Sequence, residues 1–132
     1  MTTSTLQTKT AQKVLIIEDE GEMCLLLNIL LDDDKIDLEH VKSIEAADNY
    51  LAGQQPAVII LDNQLPDGYG IDYIRTIKQN YPAIRIIMIT GFDISARDVA
   101  IENGADRFME KPFTKQELST AIHELLAEMK QS

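Results

Sequence analysis

Five short apolar runs, recurring at similar intervals, limit the folds open to this chain more than any other feature. Four of them are continuous or rich in β-branched residues, which is typical of strands that are covered on both faces. The runs are Val14–Ile17, Ile36–Val41, Val58–Leu61, Ile84–Ile89 and Arg107–Met109.

Apolar residues at helical spacing fill the gaps between these runs. A capping box at Thr114 and Glu117 begins the last of these predicted helices, and Gly104 ends the fourth. The stripes, in chain order, are Met23, Leu26, Leu27 and Leu30; Ala46, Tyr50 and Leu51; Ile71, Ile74 and Ile77; residues 95–103; and Leu118, Ile122, Leu125, Leu126 and Met129.

The order is therefore a strand followed by a helix, repeated five times. Such alternation predicts an α/β fold with a parallel sheet, right-handed crossovers and helices on both faces. The length of 132 residues favours one domain, which we expect over residues 13–130. Residues 1–12 are rich in Thr and Gln and are expected to form a disordered tail.

Charge and cysteine content exclude several classes of function. The net charge of −10 disfavours binding to nucleic acid or to an anionic membrane. The single cysteine, Cys24, excludes an intramolecular disulfide and fits a reducing cytoplasm. The longest apolar stretch, residues 23–31, is too short to span a bilayer, and residues 1–12 lack the apolar region of a signal peptide. We therefore expect a cytoplasmic protein.

Residues that carry chemistry follow four of the five runs. Glu18 and Asp19 follow the first, Asp62 the third, Thr90 the fourth and Lys111 the fifth. In parallel sheets these positions meet at one edge, where functional sites lie. Three carboxylates repel one another unless a cation joins them, and Mg²⁺ suits such ligands. Asp62 is then a candidate nucleophile for phosphoryl transfer, with Lys111 and Thr90 contacting phosphoryl oxygens.

Four segments give this pattern a family likeness. VLIIEDE, IILDNQLPDGYG, IIMITG and GADRFMEKPF resemble the signature segments of receiver domains in two-component response regulators. The resemblance implies a doubly wound, flavodoxin-like (βα)5 sandwich with strand order 2-1-3-4-5. It also implies that a histidine kinase or histidine phosphotransfer protein phosphorylates Asp62.

The resemblance further assigns a metal site. Asp19 and Asp62 would ligate Mg²⁺ directly, with Mn²⁺ as an alternative ion. Gln64 would contribute its backbone carbonyl, and Glu18 would hold a water on the metal.

Other residues acquire roles by the same resemblance. Thr90 and Phe108 correspond to a conformational switch, and Lys111 to the lysine that pairs with the phosphoacceptor. A bulky Phe92 is hypothesised to slow hydrolysis of the phosphoryl group. The loops of the site would be supported by Pro66, Gly70 and Pro112, the last in the cis form.

Two surfaces are candidates for partners. Four residues of the first helix, Cys24, Leu25, Ile29 and Leu31, lie off its apolar stripe and form either core or, as the resemblance implies, a kinase-docking face. Residues 95–129 would carry the signal to a downstream protein. The protein would be a monomer or a phosphorylation-dependent dimer.

Alternative interpretations remain open at this point. The chain is either a stand-alone receiver or a fragment of a larger regulator or hybrid kinase. A metal-dependent phosphatase with an Asp nucleophile is disfavoured because Gln64 stands where such an enzyme needs a second Asp. A pseudo-receiver scaffold is disfavoured by the full set of acids, Thr and Lys. A receiver would not be an enzyme beyond its own phosphorylation and slow dephosphorylation. His40 and His123 are expected to join no ligand set. Cys24 is expected to be a small residue of the first helix rather than a redox sensor, and a single cysteine argues against a Cys-based zinc site.

Overall fold

A computed structural model describes residues 11–91 and 95–131 of this chain, with side chains described as far as residue 128. Phe92 and residues 1–10 of the predicted tail therefore lie outside the described residues, and so does the side chain of Met129. Gln12, which we assigned to the tail, is already the first residue of a strand.

In the described part of the chain, the five strands of one sheet alternate with five helices, as the apolar runs predict. Between the third strand and the third helix a short hairpin pairs Gln64–Leu65 with Gly68–Tyr69. The elements are β1 Gln12–Ile17, α1 Gly21–Leu30, β2 Ile36–Val41, α2 Ile44–Gly53, β3 Val58–Asp62, α3 Gly70–Asn80, β4 Arg85–Thr90, α4 Ala96–Asn103, β5 Arg107–Glu110 and α5 Lys115–Gln131.

The five strands form one parallel sheet in the order β2-β1-β3-β4-β5. This confirms the predicted fold class and the strand order 2-1-3-4-5. β1 and β3 lie inside the sheet, so their carboxyl ends occupy the middle of one sheet edge. That edge is where Glu18 and Asp62 emerge.

Alternate residues of the inner strands enter two separate cores, one on each face of the sheet. Leu15 and Leu61 pack with residues of α2, α3 and α4, such as Ile74. Ile16 and Ile60 pack with residues of α1 and α5. Because both faces are covered, these strands show continuous apolar runs rather than alternation.

The apolar stripe of α1 differs in part from its prediction. Leu27 and Leu31 are buried, although we had placed Leu31 off the stripe. Leu26, which we assigned to the stripe, is 44% exposed, and Leu25 and Ile29 are 63% and 60% exposed. Nearly every position of this helix is apolar, so periodicity alone did not determine which side faces the core.

Two helix ends carry the predicted signals. The Thr114 backbone N–H donates to Glu117 Oε1 at 2.8 Å, and the Glu117 N–H donates to Thr114 Oγ1 at 3.0 Å. This reciprocal pair is the predicted capping box of α5. Gly104 follows α4 with a φ of 120°, a conformation that favours glycine.

The hairpin after β3 was not predicted from the sequence. Asp67 in its turn accepts hydrogen bonds from the N–H groups of Ile44 and Glu45, each at 2.9 Å. The loop that leaves Asp62 is therefore tied to the first turn of α2.

Among the described residues, no helix combines the length and the apolar character needed to cross a membrane.

Candidate functional site

A cavity of about 390 Å³ opens at the carboxyl ends of the central strands. Five predicted site residues line it, and Glu20 joins them from the β1–α1 loop. Its apolar wall is formed by Met23, Leu26 and Phe113, and the predicted residues are Asp62, Gln64, Thr90, Lys111 and Pro112. The sheet therefore brings together residues that are distant in sequence, as the strand-end rule predicts.

Asp62 is the last residue of β3 and is 4% exposed. Burial raises the pKa of its carboxyl group, and the nearby Lys111 ammonium partly reverses that effect. Lys111 Nζ lies 3.6 Å from Asp62 Oδ1 and 3.1 Å from Glu20 Oε1. One cation thus faces two carboxylates in this pocket.

Glu18 is the most buried acid of the site, with no exposed surface. Its Oε2 accepts a hydrogen bond from the Glu20 backbone N–H at 2.9 Å, while its Oε1 is buried without a hydrogen-bond partner in the described part of the chain. Burial raises the pKa of this carboxyl group to about 7, against the lowering effect of the Glu20 N–H. The charged form of Glu18 is therefore poorly compensated.

The carboxylates of Glu18, Glu20 and Asp62 come together, with one oxygen of each within 4.8 Å of the others. Asp19, which was predicted as a direct metal ligand, is exposed and does not belong to this group. A set of hard oxygen donors with an excess of negative charge fits Mg²⁺. The sequence placed Glu20 beside the predicted acid pair, but its contact with Lys111 could not be derived from spacing.

Of the two predicted switch residues, one lies in the cavity. Thr90 is 4% exposed and lines the pocket, and its backbone oxygen accepts the Lys111 N–H at 2.8 Å. Phe108 is half-buried against the core, with the Arg97 guanidinium carbon 5.8 Å from its ring centroid. Phe108 is not among the described residues that line the cavity.

The loop after Asp62 is held closely against the end of β3. Gly70 N–H donates to the Asn63 backbone oxygen at 2.8 Å, and Ile71 N–H donates to Asn63 Oδ1 at 3.0 Å. A Cβ atom at Gly70 would overlap the backbone oxygen of Asp62. Pro66 lies exposed in the turn of the hairpin, and the Lys111–Pro112 peptide bond is cis, as the resemblance implied.

His40 lies closer to the site than the sequence suggested. Its Nε2 lies 2.8 Å from the Glu18 backbone oxygen and 3.5 Å from Glu18 Oε1. The sequence did not predict this contact with Glu18, because it placed His40 at the surface or at a sheet edge. That His40 joins no ligand set stays a prediction. The ring comes from β2, which pairs with β1 in parallel, so it reaches Glu18 across the sheet.

Comparisons with known proteins agree with this geometry. The family described as response regulator receiver domain matches residues 14–123. The response regulator protein PilR of Pseudomonas aeruginosa is 33% identical over 76% of this chain and 23% of its own length. The KDP operon transcriptional regulatory protein KdpE of Escherichia coli is 33% identical over 83% of this chain and 48% of its own. The chain thus spans about half the length of these relatives or less.

Solved structures show the same fold. The beryllofluoride-activated NtrC4 receiver domain dimer superposes with a TM-score of 0.83 at 30% identity, over 89% of this chain and 98% of that one. A response regulator receiver domain protein from Clostridium thermocellum gives a TM-score of 0.82 at 29% identity, over 91% and 98% of the two chains.

Proposed function

Because this chain belongs to the family of response regulator receiver domains, we propose that Asp62 accepts a phosphoryl group from a histidine kinase or a histidine phosphotransfer protein. The observation that carries the proposal is the buried Asp62 carboxylate beside Lys111, on the wall of an open cavity. The receiver unit is proposed to span residues 13–130.

The reaction needs little from the protein beyond position and charge. An Asp62 carboxylate oxygen attacks the phosphorus of the phosphohistidine and forms an acyl phosphate. The phosphorus–nitrogen bond breaks, and its electron pair stays on the imidazole nitrogen, which takes up a proton. Lys111, already 3.6 Å from Asp62 Oδ1, pairs with the added phosphoryl oxygens.

Mg²⁺, or Mn²⁺ in its place, supplies positive charge that offsets the carboxylates and the incoming phosphoryl group. The residues proposed to hold it are Asp62, Glu18, Asp19 and the Gln64 backbone carbonyl. Glu20 is a further candidate, because its carboxylate lies with those of Glu18 and Asp62.

The proposed response of the protein involves Thr90 and Phe108. The Thr90 hydroxyl moves to a phosphoryl oxygen, and the Phe108 ring turns inward behind it. The resulting change reaches the surface formed by residues 95–129, where a downstream protein or a second receiver binds. The dimeric state of the activated NtrC4 receiver supports the second option.

The proposed kinase-docking surface is the exposed apolar side of α1. Leu25, Leu26 and Ile29 are exposed there, next to the cavity that Leu26 lines. An exposed apolar patch of this kind marks an interaction surface. A cytoplasmic location is part of the proposal, since the free Cys24 fits a reducing compartment.

The test is phosphorylation of the full chain with a small acyl phosphate and Mg²⁺, using Asp62→Asn and the matched surface variant Asp72→Asn. We expect a transient, acid-labile adduct in the wild type and in Asp72→Asn, and none in Asp62→Asn. Rapid multiple turnover would instead indicate a phosphatase, and absence of an adduct in the wild type would indicate a scaffold.

A further inference from the structure

The carboxylates of Glu18, Glu20 and Asp62 form what we call the acid pocket. A second group of possible metal ligands lies beside it and has a different chemistry. The carboxylate of Glu18, the thiol of Cys24 and the imidazole of His40 each place one ligand atom within 4.8 Å of the others. They come from the end of β1, from α1 and from β2. Three elements therefore hold the set in place.

The Glu18 carboxylate gives an independent indication that something binds here. Within residues 11–91 and 95–128, its Oε1 is buried without a hydrogen-bond partner, and the nearest basic atom is His40 Nε2 at 3.5 Å. A buried, unsatisfied carboxylate oxygen is costly and rare in folded proteins. An ion between this oxygen, the imidazole and the thiol would satisfy it.

We propose that Glu18, Cys24 and His40 form a binding site for Zn²⁺ or a similar borderline divalent ion. Imidazole and thiolate ligands select such ions over Mg²⁺, which prefers oxygen ligands. Three protein ligands leave a fourth tetrahedral position for water.

Binding changes one contact and releases a proton. Cys24 binds as the thiolate, so its proton passes to the solvent, while its sulfur still accepts the weak hydrogen bond that Asn28 Nδ2 donates at 3.8 Å. His40 Nε2 gives up its contact with the Glu18 backbone oxygen to bind the ion. Cys24 and His40 are both partly exposed, so an ion can reach them from solvent.

Glu18 belongs to this set and also to the group with Glu20 and Asp62. One carboxylate is thus shared by two candidate metal sites, one suited to a borderline ion such as Zn²⁺ and one suited to a hard ion such as Mg²⁺. Zn²⁺ bound at Glu18, Cys24 and His40 withdraws this carboxylate from the acid pocket. As a consequence that rests on the proposed function, Zn²⁺ weakens the Mg²⁺-dependent phosphorylation of Asp62.

The test uses Co²⁺ as a spectroscopic substitute for Zn²⁺ with the reduced full chain. We expect a thiolate-to-cobalt charge-transfer absorption that saturates at one equivalent and disappears when Zn²⁺ is added. Cys24→Ser should abolish the absorption, and His40→Gln should weaken Zn²⁺ binding, measured calorimetrically, by about tenfold or more. The control His123→Gln removes the other histidine, which lies outside the set, and should leave both signals unchanged.

Two results would overturn the proposal. One is the absence of the charge-transfer absorption in the wild type. The other is Zn²⁺ binding that Asp62→Asn weakens but Cys24→Ser and His40→Gln do not, since the ion would then occupy the acid pocket. The absorption does not depend on phosphorylation, so it distinguishes failure of the metal site from failure of the proposed phosphoacceptor.

Discussion

At the amino ends of β4 and β5, both carboxylate oxygens of Asp106 accept hydrogen bonds. At the opposite end of the sheet, one oxygen of Glu18 has no hydrogen-bond partner among the described residues. Asp106 Oδ2 accepts from Lys78 Nζ at 3.1 Å and from the Ile86 N–H at 2.8 Å. Its Oδ1 accepts from Arg85 at 3.3 Å. Two cationic side chains, Lys78 and Arg85, therefore compensate the charge of one carboxylate there.

The acid pocket has the reverse balance: of the described residues, Lys111 is the one cation paired with Asp62 and Glu20, while Glu18 is buried nearby. A satisfied ionic cluster holds the fold together, and its partners are all supplied by the chain. A cluster with too little positive charge is less stable by itself and gains from a cation or a phosphoryl group. The difference in charge balance therefore separates the structural end of the sheet from the end proposed to react.

The largest effect on stability is expected at the structural end. Asp106→Ala should lower the free energy of unfolding by about 3 kcal/mol, since it leaves Lys78, Arg85 and the Ile86 N–H without their shared acceptor. Urea unfolding would measure this loss, with the exposed Glu102→Ala on α4 as the matched control. Acyl phosphate labelling of Asp62 should persist. A loss no greater than that of the control would show that the cluster contributes little.

The buried acids of the acid pocket should make the free energy of unfolding depend on pH. The folded-state pKa of Glu18 is raised from 4.5 to about 7, so folding favours its protonated form. Without divalent ions, the contribution of Glu18 to the free energy of unfolding should fall by about 3 kcal/mol as the pH rises through that window, and should not change further above it. Burial also raises the pKa of Asp62, which adds to the decrease.

Glu18→Gln should reduce this slope, because glutamine does not titrate. Urea unfolding of both proteins at a series of pH values gives the comparison. Equal slopes in the two proteins would contradict the assignment of the pH dependence to Glu18.

The smallest effect is expected from the outer acid of the pocket. Glu20 is 62% exposed, so its ion pair with Lys111 is screened by water. Glu20→Gln should change the free energy of unfolding by less than about 0.5 kcal/mol. The exposed Glu22→Gln is the matched control in thermal or urea unfolding. A loss well beyond that of the control would mean that the Lys111 cluster is as structural as the one around Asp106.

The sequence predicted the fold well because strand and helix periods are local signals. The run Ile36–Val41 coincides with β2, and the capping box begins α5 at the predicted place. The strand-end rule also predicted that Asp62, Thr90 and Lys111 lie close together, and all three line one cavity.

What the sequence did not predict depends on contacts between distant residues. The rotation of α1, which buries Leu31 and exposes Leu26, depends on how the whole helix packs. The reach of His40 to Glu18 depends on the parallel pairing of β1 with β2. The hairpin after β3 is two residues on each side, too short to leave a periodic signal.

The close approach of α3 to Asp62 bears on which substitutions the chain can tolerate. At Gly21 and Gly53 an added Cβ would meet nothing within 4 Å, so their neighbours leave room for alanine. At Gly70 even one methyl group would meet the backbone oxygen of Asp62. Position 70 at the start of α3 is thus closed to any side chain by the main chain of another element, and a residue with no side chain sets how near the helix lies to Asp62.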